Sequence, residues 1–74
     1  MNLENATIIE RYIGQEYGIV LRSQSHDGSI EYATHEFRVN DFFNTYWGHY
    51  YFNEESARKD FIERVNAIRN IYEY

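Results

Sequence analysis

The chain alternates before it spirals. From Thr7 to Ile13 β-branched residues dominate, and Ile9 and Ile13 alternate with Glu10 and Tyr12, as on a half-buried strand. Gly14-Gln15 follows, with glycine where a tight type II′ hairpin turn takes one. A second strand runs from Tyr17 to Ser23, with Tyr17, Ile19 and Leu21 on one side and Gly18, Val20 and Arg22 on the other. Asp27-Gly28 supplies the positive φ that a type I′ or bulged hairpin loop requires. A third strand spans about Ile30 to Val39, with Ile30 and Tyr32 on one face and Ala33, Phe37 and Val39 on the other, so both faces are expected to be partly covered. Asn40-Asp41 ends it, Asp41 to Thr45 reads as a connection, and Tyr46 to Phe52 reads as a fourth strand.

The period then changes. Asn53 is a good N-cap, and Glu54 and Glu55 suit the positive end of a helix dipole. Ala57, Phe61, Val65, Ile68 and Tyr72 fall at helical spacing and form one apolar stripe, flanked by Ile62 and Ile71. Glu54–Arg58, Glu55–Lys59 and Asp60–Arg64 are acid-before-base pairs at i,i+4. The expectation is a single α+β domain over residues 1–74: a small antiparallel sheet of about four strands with one C-terminal amphipathic helix on one face, in the order β-β-β-β-α.

Composition sharpens this picture. The 74 residues contain no cysteine and no proline, so disulfides and thiolate metal sites are excluded. The three histidines show no ligand spacing, and neither a cofactor nor a metal is expected. A core this small is marginal, which makes self-association or a partner chain the expected supplement. Eight tyrosines, five phenylalanines and a tryptophan are more rings than such a core holds. The net charge of −5 argues against direct nucleic-acid binding and against an anionic membrane surface. Neither a signal peptide nor a membrane span is read from the chain, which is expected to be cytoplasmic.

The rings concentrate in one place. Phe42, Phe43, Tyr46, Trp47, Tyr50, Tyr51 and Phe52 fall within eleven residues. On a strand, Tyr46, Gly48, Tyr50 and Phe52 share one face, while Trp47, His49 and Tyr51 share the other. A single helix covers only one of these faces. The Trp47, His49 and Tyr51 face is therefore the expected partner-binding surface, assisted by Phe42 and Phe43, with Glu31, Glu36 and Asp41 pairing to basic groups of the partner. Homodimer burial of that face carries similar weight. A third possibility is a small metal-independent ribonuclease or toxin, in which His35 and His49 meet across paired strands and Arg22 or Arg38 holds the phosphate.

Short length, acidic balance, absence of cysteine and proline, and the Tyr46-to-Phe52 run before the Asn53-Glu54-Glu55 helix start together resemble small proteins encoded by phages and mobile elements, among them the anti-CRISPR and antirestriction proteins. The resemblance covers the chain by size and composition. It implies a non-enzymatic inhibitor that binds a host protein, such as a nuclease or CRISPR effector.

Overall fold

The computed structural model describes residues 6–72, and among these the side chains of all but His26, Phe42, Phe43, Asn44, Tyr46, Trp47, Ile71 and Tyr72. Strands β1 (Thr7–Ile13), β2 (Tyr17–His26), β3 (Ser29–Arg38) and β4 (Asp41–Tyr51) precede one helix, α1 (Glu54–Tyr72). The strands form one antiparallel sheet in the order β1-β2-β3-β4. This is the α+β arrangement that the residue pattern predicts.

Three local features decide how the sheet is built. Asp27 and Gly28 have φ of 48° and 86°, so the β2–β3 hairpin turns on the two left-handed residues of a type I′ loop and runs without interruption from Tyr17↔Arg38 to His26↔Ser29. The β1–β2 turn differs from expectation. Among the described residues only Asp27 and Gly28 have positive φ, and the amide of Gly14 donates to the carbonyl of Tyr17 at 3.0 Å, so the turn closes one residue later, over Gln15-Glu16. The third feature is the start of β4. Arg38 pairs with Asp41, which leaves Val39-Asn40 as the whole turn and makes Asp41 to Thr45 part of a strand rather than a connection.

The alternation is broken at three places. In β1, Ile9 is the extra residue between the Ile8↔Arg22 and Glu10↔Leu21 pairs. In β4, Trp47 and Gly48 together stand opposite the single residue His35, between the Thr34↔His49 and Glu36↔Tyr46 pairs. Nearer the turn, the register also shifts between Arg38↔Asp41 and Phe37↔Thr45.

The helix starts where its cap predicts. Ser56 donates its amide to the Asn53 side-chain oxygen at 2.8 Å. Glu54 and Arg58 form the expected i,i+4 bond at 3.0 Å, and Arg58 also reaches Glu10 of β1 at 2.9 Å. Glu55–Lys59 does not close. Ala57, Phe61 and Ile68 are buried against Ile19 and Leu21 of β2, with Tyr12, Tyr32, Tyr51 and Val65 packed around them. A buried ring or branched side chain contributes about 1.5–3 kcal/mol, so this stripe holds the helix on the sheet.

The opposite face of the sheet also excludes water. Val20, Ala33 and Phe37 are buried there, and a Cβ on Gly18 would collide with the Phe37 ring and lie 2.5 Å from the Tyr12 carbonyl oxygen. Glycine at position 18 is therefore a packing requirement.

Candidate functional site

The register of β4 sorts its aromatic residues between the two faces. Tyr32 pairs with Tyr51 and Thr34 with His49, and directly paired residues point to the same side. Because Tyr32 and Tyr51 pack against the helix stripe, His49 and Tyr51 belong to the helix-covered face. Tyr50 takes the opposite face beside Ala33. Of the Trp47–His49–Tyr51 surface expected from the sequence, His49 is exposed at the edge of the helix-covered face. Tyr51 is half-buried under α1, and the side chains of Trp47, Phe42 and Phe43 lie outside the described residues. The helix selects this face because Tyr51 and Tyr32 extend the apolar surface of Ile19 and Leu21, whereas Tyr50 would bring a charged neighbour with it.

That neighbour is Arg22. Its side chain is fully buried, and its Nε donates to His35 Nε2 at 3.1 Å. Its Nη1 donates to Gln24 Oε1 at 3.2 Å, and both terminal nitrogens reach Glu31 Oε1 at 3.3 Å. The guanidinium also stands 5.8 Å from the centre of the Tyr50 ring. His35 meets the same ring edge-to-face at 5.7 Å. Gly48 makes room for this contact, since a Cβ there would lie 2.6 Å from both His35 Cε1 and Tyr50 Oη. With Nε2 accepting from Arg22, the imidazole proton sits on Nδ1, which has no hydrogen-bond partner among the described residues. Burial first, then the positive charges of Arg22 and Arg64, lower His35 to a pKa of about 4. It is neutral at pH 7.

A second polar cluster edges the helix-covered face. Thr34 Oγ1 donates to Asp60 Oδ2 at 2.6 Å and accepts from Arg64 Nη1 at 3.1 Å. Arg64 also donates to the Thr34 carbonyl at 3.3 Å. His49 Nδ1 stands 2.9 Å from the same Asp60 oxygen. Burial lowers Arg64 from its usual value, offset in part by Asp60 and Glu36. Desolvation and then Asp60 raise Tyr51. The cluster couples α1 to β3 and β4 by charge-assisted bonds. Asp60 is the residue that sequence reasoning missed here, because it counted as one half of a surface i,i+4 pair.

His35 and His49 therefore do not meet. They occupy opposite faces of the sheet, one buried with Arg22 and one half-exposed beside Asp60. Arg22 is occupied in the interior, so the ribonuclease arrangement has neither its paired imidazoles nor that arginine for a phosphate. Among the described residues, no group of three or more metal-ligating side chains occurs. Among them, too, no helix is long and apolar enough to cross a membrane.

The remaining expected site residues fall in different places. Glu31 is half-buried against Arg22, Glu36 is half-buried opposite Tyr46, and Asp41 is exposed opposite Arg38. Besides His49, the structure exposes a second set of large side chains. Phe52 is 89% exposed and Tyr50 54%, and Ile30 is also exposed. Ile30, Glu31, Ser29 and Phe52 line a hollow of about 260 Å³ at the end of the sheet. Alternation already puts Tyr50 and Phe52 on one face. Preferring the other face is what misses them.

Comparison with known proteins finds no match: no family model, no curated protein and no solved structure is similar to this chain at a significant level.

Proposed function

We propose that this chain is a non-enzymatic protein-binding module, and that Phe52, with Ile30 and Glu31 beside it at the end of the sheet, forms its contact surface. The reading rests mainly on Phe52, a phenylalanine left 89% in water at the junction of sheet and helix. A ring so placed adds nothing to the core, and it stands beside an apolar hollow with a carboxylate on its wall. A large exposed ring beside an apolar hollow is a usual anchor of a protein contact. The net charge of −5 favours a basic partner surface, such as the nucleic-acid channel of a processing enzyme. Together with the likeness to small phage-encoded inhibitors, this makes host nucleases and CRISPR effectors the first partners to try.

The test compares capture from a bacterial lysate by the immobilised chain and by a Phe52→Asp variant. An exposed position tolerates this change to within about 0.5 kcal/mol, so the melting curve stays the same. The expected result is a defined protein that the wild type retains and Phe52→Asp loses, followed by inhibition of that protein's activity by the purified chain. Equal capture by both chains, or none by either, overturns the reading.

A further inference from the structure

Helix α1 lies across β2, β3 and β4 and leaves a groove on its β1 side. This groove has a volume of about 420 Å³, and Tyr12, Arg58, Phe61, Ile62 and Val65 are among its walls. Glu10, Arg11 and Asn66 complete the lining, so the groove is apolar along Phe61, Ile62 and Val65 and charged on its β1 side. Ile62, on its rim, is 52% exposed. A four-stranded sheet is about 14 Å across between its outer strand axes, at roughly 4.8 Å per step. A helix with its side chains is about 10–12 Å thick. One helix therefore cannot cover the whole face, and the uncovered strip is the groove.

The helix itself carries the complement of this strip. Glu55 lies seven residues before Ile62, and Arg69 seven residues after it. Seven residues are two turns less about 20°, so Glu55, Ile62 and Arg69 line up within an arc of about 40° on the flank beside the groove. Glu55 and Arg69 are both exposed, and neither makes an ion pair with another described residue. The row reads acid, apolar, base, with the apolar residue at its centre. Such a row is self-complementary under one operation only, a two-fold axis that passes beside Ile62, at its level along the helix, and sets two copies of α1 antiparallel.

We infer that this flank joins two copies of the chain in an isologous dimer. Ile62 of each copy enters the groove of the other, and Glu55 of each pairs with Arg69 of the other. The inference goes beyond the protein-binding reading above and uses other residues. An isologous contact requires this reciprocity, residue i meeting j and j meeting i. Antiparallel helices also oppose their dipoles favourably. The contact strip is about 28 Å long, at 1.5 Å per residue over the helix. A contact one helix wide belongs with the smaller, concentration-dependent interfaces.

Sedimentation of the full chain across the micromolar to millimolar range tests the inference. The set is the wild type, Glu55→Arg, Arg69→Glu, and an equimolar mixture of these two variants, with circular dichroism melts as the folding control. The wild type is expected to dimerise. Each single variant places like charges opposite one another at both ends and weakens association roughly tenfold or more. In the mixture, the arginine introduced at position 55 of one chain faces the glutamate introduced at position 69 of the other. At the far end the unaltered Arg69 of the first chain faces the unaltered Glu55 of the second, so dimerisation returns. A wild type that stays monomeric throughout overturns the inference. So does a mixture that associates no better than its components, since that outcome assigns self-association to another surface.

Discussion

The two faces of this sheet both bury their central residues, but by different chemistry. The helix-covered face is an apolar layer of Ile19, Leu21, Ala57, Phe61 and Ile68, with its polar cluster kept to one edge. The opposite face places a fully buried arginine and a neutral histidine beside Val20 and Phe37. The first face gains free energy simply by excluding water. The second must recover the cost of desolvating Arg22 through bonds to His35, Gln24 and Glu31. Stability of the helix-covered face should depend on volume, and stability of the other on protonation.

The largest expected effect comes from the apolar layer. Phe61→Ala removes a buried ring between helix and sheet and should cost about 3–5 kcal/mol, read as a fall in the urea midpoint with loss of helical signal. A cost under about 1 kcal/mol would mean that the helix is held by something other than its stripe.

Acid should act on the opposite face. His35 is held at a pKa of about 4 in the fold and rises to about 6.5 when the chain unfolds. As pH falls below about 6.5 the unfolded chain takes up this proton first, so stability drops until about pH 4 and levels off below it. The total is about 3 kcal/mol for a shift of this size. His35→Gln cannot charge, so its melting temperature should lose this component of the pH dependence. Identical pH profiles for the two chains would show that His35 is not buried neutral.

The smallest effect belongs to the edge cluster. Asp60→Asn keeps the shape but removes the charge that receives Thr34 and His49, at a cost of about 1–2 kcal/mol. Thermal melts should detect it, and the loss should be largely independent of the Phe61 contribution in the double variant.

Much of this architecture can be read from neighbouring residues. The Asp27-Gly28 turn, the Asn53 cap and the helical spacing from Ala57 to Ile68 each carry their signal within a few positions, and each is found as expected. What the residues do not disclose depends on distant partners. β4 has rings on both sides, so its own pattern does not say which side the helix takes. That choice is made by Tyr32 and Leu21 on other strands. The bulge opposite His35 shifts the phase of β4, and it contains Gly48, where a side chain would collide with His35 and Tyr50. Asp41 to Thr45 reads as a loop because Asn40-Asp41 is a good turn pair. The turn instead closes one residue earlier, on Val39-Asn40.

The Asp27-Gly28 turn has a consequence for how the chain assembles. It joins the two inner strands through a two-residue loop, and their ten pairs run unbroken. The middle of the sheet therefore needs little loop-closure entropy for the number of pairs it gains. On a ribosome these strands are complete before the helix has been synthesised, so the central ladder can stand as a template. The outer strands, and last of all α1, then add to a register already set.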